Sequence, residues 1–143
     1  NMFFLGAGDG VANKAAQNLT NKFPKLNIVG TYSPPFGFEK DKKEIEKIIN
    51  MVNKANTQIL IVGLGCPKQE KFIHKYRKEL NVPISLGLGA SLDFEAGNIK
   101  RAPKWMSDNG LEWLYRLSKE PKRMFKRYIV DDVKIFKLMF KYK

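Results

Sequence analysis

Short apolar runs alternate with segments of helical periodicity along most of the chain. The apolar runs are rich in β-branched and aliphatic residues, which is typical of buried parallel strands. Between them, apolar residues recur three or four positions apart, as in Ile45, Ile48 and Val52, which indicates helices that pack by one face. Asp41 is the predicted N-cap of the helix that contains these three residues. The predicted strands are residues 2–5, 26–32, 58–63 and 82–89. This alternation predicts an α/β fold, namely a Rossmann-like parallel sheet with helices on both faces.

Three of the predicted strands end in a Gly-x-Gly pair. Glycine permits a tight turn and lets a ligand approach the backbone closely. The carboxyl ends of parallel strands share one edge of the sheet, where α/β proteins bind nucleotides and sugars. A turn that needs glycine explains any single pair equally well, but three pairs at one edge favour a nucleotide cleft. The pairs are Gly6 and Gly8, Gly63 and Gly65, and Gly87 and Gly89.

The segment 59–70 is the most informative of these strand ends. Its apolar run stops at Gly63, and Pro67 follows. Proline suits the first position of a helix, where its missing N–H is not needed. Gln69 then lies in the first helical turn, beside backbone N–H groups that point toward the carboxyl edge of the sheet. We therefore expect Gln69 to contact a phosphate or a sugar.

Four further side chains near the strand ends are candidates for ligand binding. Asp93 follows the fourth strand and is suited to accept hydrogen bonds from a sugar hydroxyl, although aspartate also caps turns. Arg101 suits a diphosphate because a guanidinium binds phosphate oxygens in pairs; a solvated surface charge is the alternative. The Tyr32 ring can stack on a base or pack in the core. Asp9 places a carboxylate in the first glycine turn.

A dinucleotide-binding dehydrogenase is a competing interpretation of the first strand and its turn. The fingerprint Gly-x-Gly-x-x-Gly fails at its third glycine, because that position is Val11. An acidic residue that holds the ribose is also expected at the end of the second strand, where the chain has Thr31 and Tyr32. The sequence therefore disfavours hydride transfer.

The composition indicates one globular domain that needs an anionic partner. Of the 143 residues, 43% are apolar, which is enough to build a core. Cys66 is the only cysteine in the sequence, so no internal disulfide or cysteine-built zinc site can form, and a reducing cytoplasm is favoured. The formal net charge of +12 calls for nucleic acid, anionic lipid or a phosphorylated substrate.

Much of the positive charge lies near the C-terminus. Residues 111–143 contain ten Lys or Arg and four Asp or Glu. Apolar residues there recur with helical spacing on one face, namely Phe125, Tyr128, Ile129, Val133, Phe136, Met139 and Phe140. Such a basic amphipathic helix either packs on its domain or lies on an anionic membrane. We expect residues 1–110 to form the Rossmann-like domain and residues 111–143 to form a membrane-associating helical appendage.

Several motifs resemble the signature of the WecG/TagA/CpsF glycosyltransferases. The similarity covers nearly the whole chain, and the order and spacing of its blocks make it specific. The basic C-terminal arm resembles that of members acting in wall teichoic acid synthesis. The motifs are Gly63-Leu64-Gly65-Cys66-Pro67-Lys68-Gln69-Glu70, Leu88-Gly89-Ala90-Ser91-Leu92-Asp93, Ala96-Gly97, Arg101-Ala102-Pro103, Trp105 and Gly110-Leu111-Glu112-Trp113-Leu114-Tyr115-Arg116-Leu117.

The resemblance implies transfer of N-acetylmannosamine from UDP-N-acetylmannosamine to the 4-hydroxyl of N-acetylglucosamine on undecaprenyl diphosphate, with inversion. Inversion in one displacement needs a carboxylate that takes the acceptor's proton. Family members carry this base, an aspartate, in an N-terminal part that the chain does not match, so Asp9 is the nearest candidate. The residues expected to bind the donor are Gly6, Gly8, Tyr32, Gly63, Gly65, Gln69, Asp93 and Arg101, with Asp93 assigned to the nucleoside.

Related members also use a C-terminal appendage for membrane association and to complete the active site. The resemblance therefore implies a peripheral protein on the inner, cytoplasmic face of the cell membrane. Arg116, Arg123 and Arg127 are the candidates for contact with the acceptor's diphosphate. Exposed apolar helix faces also allow a homo-oligomer.

Two other functions fit part of the sequence. A nucleic-acid-binding module would use the net charge and the interleaved aromatic residues, but no RNP, KH or zinc-finger pattern is present. We therefore expect no nucleic acid partner. A non-catalytic fragment that binds a nucleotide sugar is the third interpretation, because the family's N-terminal part is unmatched.

The sequence predicts a transferase that needs neither a metal nor another cofactor. Metal-dependent nucleotide-sugar transferases often use Asp-x-Asp, whereas the nearest pair here, Asp131 and Asp132, lacks the intervening residue. Backbone amides, Gln69 and cationic side chains would offset the charge of the departing diphosphate. The complete enzyme should therefore retain its turnover in excess EDTA, within about twofold of the untreated rate. Loss of turnover that manganese restores would contradict this.

Overall fold

The structure is a computed structural model that describes residues 1–119, 121–125 and 139. Within it the chain forms two compact units, Asn1–Lys100 and Arg101–Lys143. The first unit holds the sheet and its helices. The functional division that the sequence places after residue 110 stays a prediction.

A four-stranded parallel sheet forms the centre of the first unit, which confirms the predicted α/β fold. Its order is β2-β1-β3-β4. Strand β3 begins one residue later than predicted, and β2 and β4 are shorter by more. Leu26 donates its amide to Phe23 in a turn before β2, and Pro83 before β4 has no N–H to donate. The strands are β1 (Met2–Gly6), β2 (Ile28–Tyr32), β3 (Ile59–Gly63) and β4 (Ile84–Gly87).

Four α-helices and one 3-10 turn connect and cover the strands. They are α1 (Val11–Lys22), the 3-10 turn (Phe38–Lys40), α2 (Lys42–Lys54), α3 (Lys68–Tyr76) and α4 (Ser91–Glu95). Asp41 is the predicted N-cap of α2, and its carboxylate accepts the amides of Lys43 and Glu44 at 2.9 and 3.4 Å. Helix α3 begins one residue later than predicted, at Lys68, and the Cys66–Pro67 peptide bond before it is cis.

Alternate residues of the central strands enter two separate cores, one on each face of the sheet. Phe3 and Leu5 of β1 face a core completed by α2 and α3, whereas Phe4 faces a core completed by α1 and α4. In β3, Val62 faces the core completed by α2 and α3, and Ile61 faces the core completed by α1 and α4. Both faces are thus covered by helices, as the continuous apolar runs predict. Edge strand β4 is less covered, and Ile84, Leu86 and Leu88 near it are 41–48% exposed.

The helices of the second unit are short. They are α5 (Lys104–Asp108), α6 (Glu112–Lys119) and α7 (Pro121–Phe125). Apart from Phe125 and Met139, the predicted amphipathic face from residue 125 onward lies outside the described residues. In the part of the chain that the structure describes, no helix has the length and apolar character needed to cross a bilayer.

Candidate active site

The strand order reverses between β1 and β3, and this reversal defines the candidate site. Helix α1 follows β1 and leads the chain to β2, whereas α3 follows β3 on the other face and leads to β4. The β1–α1 and β3–α3 turns therefore diverge from neighbouring strands. Such a divergence leaves a crevice at the carboxyl edge, which is where open α/β sheets bind ligands.

The ends of β1 and β3 meet at Gly6 and Gly63. A Cβ at Gly6, whose φ is +106°, would lie 2.7 Å from the carbonyl carbon and oxygen of Gly63. The amide of Ala7 also donates to the Gly63 carbonyl at 2.7 Å. Glycine is thus required at position 6 by the contact between the two strands as well as by its conformation.

The other predicted glycines have different reasons for their presence. A Cβ at Gly63 would lie 3.1 Å from the Gly89 carbonyl oxygen, so packing accounts for this glycine too. Gly65 has φ +80° with open space around it, and Gly8 is restricted only by Val11 at 3.4 Å. Packing of the protein on itself therefore explains Gly6 and Gly63, whereas Gly8 and Gly65 leave room for an approaching ligand.

Gln69 lies in the first turn of α3, as predicted, but its side chain is turned inward. It is only 4% exposed. Its Oε1 accepts the amide of Gly89 at 3.0 Å, and its Nε2 donates to the Glu70 carboxylate at 2.9 Å. The predicted contact with the donor stays a prediction, and the structure shows Gln69 joining the β3–α3 turn to the β4–α4 turn.

Tyr32 lies at the carboxyl end of β2 and contacts α2. Its hydroxyl donates to the Glu44 carboxylate. The ammonium of Lys47 donates to the Tyr32 oxygen at 2.5 Å and lies 4.5 Å from the ring centroid. The hydrogen bond to Tyr32, with the nearby charge of Glu44, raises the pKa of Lys47. The Tyr32 hydroxyl is therefore already bonded within the protein, and stacking of the ring on a base stays a prediction.

The loop after β2 extends along the carboxyl edge of the sheet, and its contacts there are not predicted from the sequence. The Ser33 hydroxyl is within hydrogen-bonding distance of the carbonyls of Gly6 and Gly8, at 3.1 and 3.0 Å. Farther along, Glu39 pairs with Lys68 of α3 at 2.6 Å, and this hydrogen bond lowers the pKa of the Glu39 carboxyl. The contact of Ser33 with the β1–α1 turn could have been predicted from the sequence, because serine directly after a strand often bonds to nearby backbone groups.

Asp9 and Asp93 remain available for a ligand. Asp9 is exposed in the β1–α1 turn, and Asp93 is partly exposed in α4. Among the described residues, neither carboxylate has a hydrogen-bond or ion-pair partner. Leu92, next to Asp93, would be 3.1 Å from a Cβ at Gly63, so α4 begins close to the end of β3.

The predicted arginines all belong to the second unit. Arg101 is exposed at its start. Arg116 donates to Glu112 through Nε at 3.1 Å and Nη2 at 2.5 Å. The side chain of Arg123 and the whole of Arg127 lie outside the described part of the chain, so their assignment to the acceptor's diphosphate stays a prediction.

A second open groove lies between α1 and β2 on one face of the sheet. It is lined only by uncharged residues, namely Asn13, Ala16, Gln17, Thr20, Asn21, Ile28, Val29, Gly30 and Thr31. A diphosphate would find no cationic side chain there. The carboxyl edge is therefore the better candidate for the donor.

Comparison with known proteins identifies the family. A model of the glycosyl transferase WecG/TagA/CpsF family matches residues 1–143. The chain belongs to this family.

Two relatives share the name N-acetylglucosaminyldiphosphoundecaprenol N-acetyl-beta-D-mannosaminyltransferase. The chain is 39% identical to the Bacillus subtilis (strain 168) protein and 38% identical to the Bacillus spizizenii protein, over 122 residues in each case. These alignments cover 85% of the chain but 45% of each relative. The chain thus spans about half the length of the curated relatives that it matches.

The described residues contain no cluster of side chains that resembles a metal centre. Among the described residues there is no group of three or more His, Cys, Asp or Glu side chains that could hold a metal ion. Cys66 is exposed, and the ring of His74 lies 3.0 Å from the Arg77 guanidinium. The independence from metal expected from the sequence stays a prediction.

The contact between the two strand ends should make Gly6 intolerant of any side chain. Gly6→Ala should lower the free energy of unfolding by more than about 3 kcal/mol, because both the backbone conformation and the Gly63 backbone oppose a Cβ. Gly10→Ala is the matched control, since Gly10 has φ +72° but no atom within 4 Å of the added Cβ. Its cost should be about 1 kcal/mol. Urea unfolding checks both, and equal losses would contradict the close contact.

Proposed function

We propose that the chain forms the donor-binding part of a transferase that moves N-acetylmannosamine from UDP-N-acetylmannosamine to lipid-linked N-acetylglucosamine. The observation that carries this proposal is the reversal of strand order between β1 and β3, in a chain whose relatives are named for this transfer. Nucleotide binding at such a position follows from the fold. The choice of donor and acceptor follows from the relatives' names.

In this proposal the UDP group lies across the β1–α1 and β3–α3 turns. Gly8 and Gly65 leave open backbone there, and the N-terminal end of α3, which has no side-chain cap, faces the diphosphate in this proposal. Asp93 accepts a hydrogen bond from the ribose, since its carboxylate has no other partner among the described residues. Arg101 is the proposed cation for the diphosphate.

The proposed chemistry is a single displacement with inversion at the anomeric carbon. A carboxylate removes the proton of the acceptor's 4-hydroxyl while UDP departs from the opposite face. Asp9, exposed in the crevice turn, is the candidate within the chain. The relatives have more than half of their length outside the matched region, and a base supplied from such a region is the alternative.

In this proposal the chemistry takes place at a membrane surface, because the acceptor is lipid-linked. Undecaprenyl diphosphate keeps its charged group at the headgroup level, where Arg116, Arg123 and Arg127 would meet it. The basic amphipathic segment from residue 125 would lie beside them, with each lysine or arginine near anionic lipid contributing about 1 kcal/mol. The proposed location is the inner face of the cell membrane.

A non-catalytic donor-binding function is the second candidate. Binding of UDP without turnover by this chain alone would support it. Turnover by this chain alone would exclude it.

Asp93 should contribute to nucleoside binding. Asp93→Asn should weaken the affinity for UDP about tenfold, because a hydroxyl bonded to a charged carboxylate loses part of that interaction. Asp9→Asn is the matched control and should leave UDP affinity unchanged, since Asp9 is assigned to proton transfer. Titration calorimetry measures both. Stabilisation by ADP as strong as that by UDP would also count against the proposed donor.

Removal of the residues after Gly110 should separate donor binding from membrane binding. The sheet and its crevice lie within Asn1–Lys100, so UDP binding should remain measurable. Co-sedimentation with anionic liposomes and transfer to the lipid acceptor should be lost, because the basic segment is removed. Unchanged sedimentation would show that another surface binds the membrane.

A further inference from the structure

Gln69 connects two turns that flank the crevice. It belongs to the first turn of α3, and its Oε1 accepts the amide of Gly89 in the turn after β4. The two residues are twenty positions apart. Since Gly89 has φ +52°, the hydrogen bond holds a turn whose conformation favours glycine.

Gly87 makes room for this connection. A Cβ at Gly87 would lie 2.9 Å from Gln69 Nε2 and 3.2 Å from its Cγ and Cδ. The Gln69 side chain therefore occupies the space beside the end of β4 that any other residue at position 87 would need. The pairing of glutamine with glycine is a packing requirement within the protein.

The polar atoms of Gln69 are used by the protein itself. Oε1 is bonded to Gly89, Nε2 is bonded to Glu70, and the residue is 4% exposed. Little of the amide remains for a ligand. We propose that Gln69 is a positioning residue that fixes the β4–α4 turn, and with it Asp93, for the nucleoside of the donor; this rests on the proposed function.

The path from Gln69 to Asp93 is short. Gly89 is held by Gln69, and its carbonyl oxygen packs against the end of β3, as does the side chain of Leu92. Asp93 is the next residue in α4. A shift of the turn would therefore move the Asp93 carboxylate relative to the crevice, which weakens a directional hydrogen bond.

An exchange of the two neighbouring side chains tests this role. In Gln69→Glu, the residue at 69 still accepts from Gly89, but it loses the donor to Glu70 and places two carboxylates together. In Gln69→Glu with Glu70→Gln, the residue at 69 again accepts from Gly89 and the amide at 70 donates to it. The exchange keeps both hydrogen bonds and the net charge. Glu70→Gln alone and Gln69→Ala complete the set.

Titration calorimetry with uridine and with UDP gives the expected pattern. Gln69→Ala and Gln69→Glu should each weaken both ligands by the same factor, about tenfold, because the nucleoside contact is displaced. The exchanged pair should recover to within about threefold of the parent, and Glu70→Gln should remain near it. Thermal unfolding confirms that each variant is folded.

Two results would overturn the proposal. If Gln69→Ala weakens UDP but leaves uridine unchanged, Gln69 contacts the diphosphate directly. If the exchanged pair stays as weak as Gln69→Glu, an amide at position 69 is itself required by the ligand.

Failure of the proposed function would give a result different from the two that overturn the positioning role of Gln69. If the parent chain binds neither uridine nor UDP, the donor-binding proposal fails, and amide exchange at Gly89 decides the positioning role. Faster exchange in Gln69→Ala that is restored in the exchanged pair supports that role. Equal exchange in all variants rejects it.

Discussion

The contact between the carboxyl ends of β1 and β3 is the constraint on which the rest of the first unit depends. At Gly6 and Gly63 the two backbones are so close that a single Cβ would lie 2.7 Å from the neighbouring strand. Because these strands are adjacent and parallel, their helices can leave in opposite directions, one to each face of the sheet. The crevice, the two cores and the placement of Asp9 and Gln69 all follow from this divergence.

The packing beside this contact connects the turns in sequence. Gly63 packs on the Gly89 carbonyl, and Gln69 holds the Gly89 amide. Ser33 joins the loop after β2 to the turn after β1. The four strand ends are therefore linked by contacts within the protein itself. A site built on linked turns keeps its shape before any ligand arrives, which lowers the entropy cost of binding.

Periodicity and local chemistry were sufficient to predict the elements of this fold. The apolar runs located all four strands, and Asp41 marked the start of α2, because these signals are contained in a few consecutive residues. The partner of Gln69 was not predictable in this way, since Gly89 lies twenty residues further along the chain. The same holds for Tyr32, whose ring is partnered by Lys47 across the strand–helix connection. The roles of the site residues stay predictions, whereas the contacts that the structure shows for Gln69 and Tyr32 depend on tertiary packing.

The pairing of Lys68 with Glu39 has a consequence for how the crevice attracts anions. Lys68 is the first residue of α3, yet its ammonium is 2.6 Å from a carboxylate and 5.0 Å from the centroid of the Phe36 ring. The formal charge of the whole chain therefore overstates the electrostatic potential at the mouth of the site. Fixed backbone dipoles would therefore account for a larger share of the attraction for anions at the site than the number of lysines suggests. These dipoles do not change with protonation, and dissolved ions screen them only weakly at short range.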